Sequence, residues 1–208
     1  MIKVYSRNIH DASWLGEIEQ VSDMKDADIL ILPGGGDIHP SFYGEVTGRH
    51  TYCYKDTDAN QFDLANQAFE NKVLMVGICR GAQLLTVFAG GKLIQHVDSH
   101  HFHHKIITSN NDIYSVNSIH HQMMFPFELP SSKFNIIAKT HKAQSSTYLN
   151  GSDEEINVGF YSRFCEPEIV WYPEIRGLAI QSHPEGYRMP TETIEYMKTL
   201  VEKYRKHE

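Results

Sequence analysis

The chain has 208 residues, 41% of them apolar and 22% charged, and a formal charge of −7; one globular domain of ordinary composition fits these figures. Lysine and arginine are outnumbered by acids, 19 to 26, and form no run, which excludes a nucleic-acid or anionic-membrane surface. The opening residues hold no signal-peptide core and nothing later approaches a membrane span, so a cytoplasmic chain with reduced thiols at Cys53, Cys79 and Cys165 is expected.

In chain order, Ile2–Tyr5 reads as a short strand. Ala27–Leu32 is a second apolar run, halted by Pro33-Gly-Gly-Gly36, as for a strand that ends in a flexible loop. Thr57–Asn71 reads as a helix, with Phe62, Ala65 and Phe69 at helical spacing and Asp58 near its start. Val73–Ile78 is continuously apolar, as for a strand buried on both faces. Arg80–Ala89 reads as helix, ended by Gly90-Gly91. Short strands follow at Ile106–Thr108, Ile113–Val116, Asn135–Lys139, Ile169–Tyr172 and Gly177–Ser182. Pro190–His207 is an amphipathic helix whose apolar face is Ile194, Met197, Leu200, Val201 and Tyr204. Strands alternating with helices in the first half predict a mostly parallel sheet covered by helices. The polar stretch 141–167 reads as an insertion or flap on a single domain spanning 1–208.

The chemistry concentrates in three places. In Gly77-Ile-Cys79-Arg80-Gly81 a cysteine stands where a strand turns sharply into a helix. Glycines two residues to either side keep side chains out of that turn, the logic of a nucleophile elbow. A helix N-terminus favours a thiolate, and the Arg80 N–H beside it is a ready oxyanion donor. In His183-Pro-Glu185 the two side chains leave an extended chain on the same side. Glu185 is therefore placed to orient the ring of His183, which serves as base to Cys79. The loop Pro33–Gly36 offers free N–H groups at the carboxyl edge of the sheet. It lacks the spacing of a dinucleotide fingerprint, and a second oxyanion donor at Gly35 or Gly36 is its better use.

Four segments, PGGGDIHPSFYG (33–44), GICRGAQLLTVFAGGKLIQ (77–95), VNSIHHQ (116–122) and AIQSHPEG (179–186), together resemble the class I glutamine amidotransferase superfamily, nearest its gamma-glutamyl hydrolase branch, which includes the gamma-glutamyl-gamma-aminobutyrate hydrolases. The resemblance implies a three-layer αβα fold of flavodoxin-like type and a Cys79–His183–Glu185 triad. It also implies oxyanion donors at the backbone of Gly35 and Arg80, and a glutamyl pocket lined by Gln83, His120, His121 and Gln122. The chain departs from the family at Ser182, where a bulky residue is usual, and in the stretch 144–167. It departs too around Ala59-Asn60, where an Arg-Asp pair is common.

The expected activity is thiol hydrolysis of the amide of glutamine or a gamma-glutamyl amine, through a glutamyl thioester and with no cofactor. The alternative is a glutaminase subunit that passes ammonia to a separate synthetase chain; a homodimer is compatible with either. A different reading takes His96 and the run Asp98–His104, with its four histidines, as a zinc or nickel site. Against it, that run reads as a solvated loop leading into the strand 105–108, and no metal is expected. A non-catalytic relative is the remaining alternative, opposed by the complete triad.

Overall fold

A computed structural model of the chain describes residues 1–206. In chain order the elements are β1 (Ile2–Tyr5), β2 (Ile18–Gln20), β3 (Ile29–Leu32), α1 (Lys55–Glu70), β4 (Leu74–Ile78), α2 (Arg80–Phe88), β5 (Lys92–Ile94), β6 (His96–Val97), β7 (His104–Thr108), β8 (Ile113–Val116), β9 (Met123–Phe125), β10 (Asn135–Thr140), β11 (Tyr148–Leu149), β12 (Pro167–Tyr172), β13 (Gly177–Ile180) and α3 (Thr191–Arg205). The last predicted helix residue, His207, lies outside the described residues.

One nine-stranded sheet runs β2-β1-β3-β4-β13-β12-β10-β7-β8. Its first five strands are parallel, and the last four continue it in antiparallel steps. This is the expected α/β architecture, with the short strands of the second half forming the antiparallel wing.

The apolar runs are continuous because both faces are covered. Ile29, Ile31, Leu74, Val76 and Ile78 pack in one layer with Met197, Leu200 and Val201 of α3. Their alternate neighbours Leu30, Leu32 and Met75 pack in the other, with Ala65 and Ala68 of α1 and Leu84 and Leu85 of α2. The twofold alternation of a strand thus feeds two cores from one sequence run.

β13 lies between β4 and β12, although 98 positions separate Ile180 from Ala82 in the helix that follows β4. Its register pairs Ile180 with Ile78, so the carboxyl ends of the two strands meet at one edge. The stretch 141–166 lies beside the wing, where β11 pairs with β6. Buried Glu166 secures it, accepting from the Gln144 and Ser145 N–H groups and from the Thr140 and Tyr148 hydroxyls at 2.7–2.9 Å.

Two glycines let α2 settle onto the strand ends. A Cβ on Gly77 would lie 2.4 Å from the Gly81 carbonyl carbon, and one on Gly81 only 2.0 Å from the Leu32 oxygen. Backbone cannot yield as a flexible side chain does. Gly81→Ala should therefore cost about 3 kcal/mol or more, read as a fall in the denaturant midpoint at unchanged slope.

Candidate active site

β4 ends at Ile78 and α2 begins at Arg80, so Cys79 alone makes the turn. Its φ of 51° and ψ of −104° are strained for a residue with a side chain, a state held only where surroundings impose it. They do so here: the Cys79 N–H donates to Ile180 O at 2.7 Å, and its carbonyl accepts the first helical bond, from Gln83 N–H at 3.1 Å. The thiol is 7% exposed, at the rim of the core. Elsewhere, burial pushes the Cys165 thiol up to about 11, and Cys53 is also raised, first by burial and then by Asp58 and Asp37. Neither is a ready thiolate.

Past β13 the chain carries His183 over the same edge. Its Nδ1 lies 2.9 Å from Glu185 Oε1, leaving Nε2 for the sulfur. Nε2 is buried without a hydrogen-bond partner. Burial works against charge on this ring, yet Cys79 and then Glu185 outweigh it and lift His183 to about 10. The sulfur therefore stands close enough to bias the proton, but outside the geometry of a finished hydrogen bond. Gln181 Nε2 approaches the same sulfur at 3.8 Å. The backbone of His183 is clamped by Asn117, which accepts from its N–H at 2.8 Å and donates to its carbonyl at 2.9 Å.

The glycine loop lies across this pair. A Cβ on Gly34 would be 3.0 Å from His183 Cε1 and 3.8 Å from Cys79 Cβ, and one on Gly35 would be 2.9 Å from Arg80 Cδ. Gly35 and Arg80, the expected oxyanion donors, are thus neighbours, and the Arg80 N–H has no acceptor within its own helix. The Arg80 side chain turns away into the core. Its guanidinium pairs with Asp58 and hydrogen-bonds Gln61, while the other Asp58 oxygen accepts from the His39 N–H at 2.7 Å.

Of the expected pocket residues, three are buried and bonded together. Gln83 Nε2 donates to Gln122 O at 2.9 Å, His120 Nδ1 lies 2.8 Å from the same oxygen, and Gln122 Nε2 donates to Thr51 Oγ1 at 3.1 Å. Burial holds His120 well below the usual histidine range, so it stands there as a neutral ring. His121 reaches further out, with Nε2 3.2 Å from Asp37 Oδ1.

A cleft of about 260 Å³ opens beside His183, lined by Asn117, Ile119 and Tyr187 among others. Larger cavities lie elsewhere, one of about 880 Å³ near Trp171 and Tyr204 and one of about 400 Å³ near Phe134 and Cys165. Neither holds a nucleophile with a base, so size does not locate the chemistry.

Sequence reasoning missed four residues here: Asp58, Gln61, Asn117 and Gln181. The acid sought around Ala59-Asn60 stands one position earlier, at Asp58, which reads locally as a helix-start residue. Asn117 and Gln181 sit inside quoted motifs, so motif membership was the available signal. The histidine run is also not the solvated loop expected. His101 and His103 are exposed, but His100 and His104 are buried.

A family model described as peptidase C26 matches residues 15–123. The chain belongs to the peptidase C26 family. A Schizosaccharomyces pombe protein named as a glutamine amidotransferase is 31% identical over 118 residues, covering 46% of this chain and 47% of its own length. The glutamine amidotransferase-like protein YvdE of Lactococcus lactis is 32% identical over 120 residues, covering 47% and 50%. The chain thus spans about half the length of the curated relatives it matches. These likenesses place it in the class I glutamine amidotransferase superfamily. Solved structures share the fold: a Thermotoga maritima glutamine amidotransferase has a TM-score of 0.57 at 14% identity, covering 99% of this chain and 86% of its own. The glutaminase domain of Trypanosoma brucei CTPS, with bound acivicin, has a TM-score of 0.59 at 12% identity, covering 99% and 94%. PurLQS of Thermotoga maritima has 0.60 at 18%, covering 98% and 100%. Among the described residues no helix is long and apolar enough to cross a membrane.

Two outcomes follow. With the backbone strained at position 79, Cys79→Gly should be about 1–2 kcal/mol more stable than Cys79→Ala, the reverse of their order in ordinary helix or strand, by paired denaturant melts. His183 is raised above its ordinary 6.5 to about 10. The stability it contributes is therefore fully present below pH 6.5 and lost as the pH rises through about 10. Cys79→Ala removes the first of the two raising influences, so an NMR titration of the His183 ring should show deprotonation at lower pH than in the unaltered protein.

Proposed function

We propose that the chain is a cysteine-dependent amidohydrolase that cleaves the gamma-glutamyl amide bond of glutamine or a gamma-glutamyl amine, in the manner of the gamma-glutamyl-gamma-aminobutyrate hydrolases. One observation carries the reading: a strained elbow cysteine faces an imidazole whose far nitrogen is 2.9 Å from a carboxylate. The Cys79 thiolate attacks the amide carbon. The backbone N–H groups of Gly35 and Arg80 hold the oxyanion, each such donor being typically worth about 3 kcal/mol. The His183 imidazolium gives its proton to the departing nitrogen as the C–N bond breaks, and Glu185 keeps the ring in place. A glutamyl thioester remains. His183 then takes a proton from water, the hydroxide adds to the thioester, and the C–S bond breaks to release glutamate and restore the thiolate. His121 is the contact for the glutamyl group, with Gln83, His120 and Gln122 fixing its loop. The cleft beside His183 receives the leaving amine.

A second reading keeps this chemistry but hands ammonia to a synthetase chain. Tyr52 and Tyr54 favour it. Both are more than 70% exposed, and they flank Cys53, which bridges to Asp37 just after the glycine loop. Two solvent-facing rings beside the site suit a partner surface.

The test is to incubate the isolated chain with glutamine and a set of gamma-glutamyl amides and to follow glutamate and amine by mass spectrometry. Release of amines by the chain alone, reduced on the order of 10³-fold or more in Cys79→Ala, supports the hydrolase. Ammonia release that depends on an added synthetase supports the second reading. An undiminished rate in Cys79→Ala ends both.

A further inference from the structure

We propose that His100, His104 and Glu168 form a buried site for one divalent cation of the zinc class, standing behind the candidate active site and fixing the loop that holds His183. One potential ligand atom from each residue lies within 4.8 Å of the others. The residues are 0%, 8% and 1% exposed. They come from three separate places: the loop after β6, the first residue of β7, and β12. Two imidazoles and a carboxylate are an N/O donor set that zinc takes readily, with a fourth position left for water. Bonds of ~2.1 Å place tetrahedral ligands about 3.4 Å apart, so modest side-chain rotation closes the site.

The first argument is unsatisfied valence. Neither ring nitrogen of His100 has a hydrogen-bond partner, and neither has Glu168 Oε2. Buried polar atoms are rarely left so, and three in one cluster call for an occupant. Glu166 does not meet the need. Its nearer oxygen is 3.6 Å from His100 Nε2, and both of its oxygens already accept two other hydrogen bonds each.

The second argument is charge. Glu166 and Glu168 are buried two positions apart, and among the described residues neither pairs with a lysine or arginine. Four hydrogen bonds already offset the charge of Glu166, but Glu168 has one unpartnered oxygen and only His104 at the other, and so sparsely satisfied a carboxylate is costly in a low dielectric. A divalent ion offsets that cost.

The third is orientation. His104 Nδ1 lies 3.3 Å from Phe102 O, and Nε2 lies 2.8 Å from Glu168 Oε1. With its hydrogen on Nδ1, donated to the Phe102 carbonyl, the ring would aim a lone pair at a carboxylate oxygen. A positive species between them resolves that conflict, and such a carbonyl partner is the usual second support of a ligating histidine. The rival occupant is a single proton on Nε2.

The site reaches the chemistry through short contacts. The His100 carbonyl accepts from Ser118 Oγ at 2.7 Å and from the His120 N–H at 3.2 Å. The residue before Ser118 is Asn117, the clamp on the His183 backbone. The cation is thus a positioning element and takes no part in bond making.

The experiment uses tag-free full-length protein. Elemental analysis after dialysis should find about one zinc per chain. Zinc added to chelator-stripped protein at 100-fold over its Kd should raise the melting temperature by about 5 °C or more. Cobalt added to the unaltered protein should give the intense visible bands of a four- or five-coordinate ion, a readout that needs no variant to fold. Glu168→Gln and His100→Ala should lose stoichiometric binding, while His101→Ala/His103→Ala, altered only at exposed rings, should keep it. No stoichiometric metal, no thermal shift and no cobalt bands would leave the proton as occupant and overturn the proposal. Binding lost in the exposed-ring variant and kept in Glu168→Gln would overturn it equally.

Discussion

Everything at this site depends on backbone touching backbone where β3, β4 and α2 meet. The start of α2 rests on the carbonyl of Leu32, and Gly77 rests on Gly81, at separations that admit no Cβ. That contact lifts Cys79 to the sheet edge in a strained conformation. It also brings the loop that follows Leu32 beside Arg80. A methyl group inserted there would separate three things at once: the thiol, the helix N-terminus and the glycine backbone. Placement of Cys79 is therefore a matter of sterics before it is a matter of charge.

A second tie sits behind the first. Asp58 and Arg80 form a buried pair, and such pairs seldom add net stability, because desolvation offsets attraction. Their value here is registration. One carboxylate holds the guanidinium, and with it the elbow; its other oxygen holds the His39 N–H, and with it the chain beyond the glycine loop. α1, the loop and α2 are locked to a common origin. Arg80 serves as the anchor: its side chain ties the start of α2 to α1.

Much of this was legible in the sequence because it is local. Unbroken apolar runs gave the central strands, and glycines two to either side of a cysteine gave the elbow. An i,i+2 histidine and glutamate gave the contact between His183 and Glu185. What escaped was long-range or ambiguous in type. Asn117 meets His183 across 66 positions, and Gln181 meets Cys79 across 102. No periodicity encodes such distances. Asp58 near a helix start reads as a favourable end charge, and only the fold reveals it as the counterion of Arg80. His100 and His104 read as solvent-facing by composition, yet the antiparallel wing brings β12 against them. The polar stretch 141–167 reads only as an insertion or flap for a related reason: the carboxylate of Glu166, near its end, organises its beginning, and hydropathy does not register that.

The place of β13 has a consequence for the life of the molecule. It is among the last strands in the chain, yet it occupies the middle of the sheet, and His183 follows it directly. A ribosome that has released the first hundred residues has delivered the sulfur, its elbow and the glycine loop, but not His183, which lies 104 positions beyond Cys79. The proposed pair of Cys79 and His183 is therefore incomplete through most of synthesis. It can form only when β13, the last strand of the sheet to emerge, inserts between β4 and β12, whose facing edges are open until then.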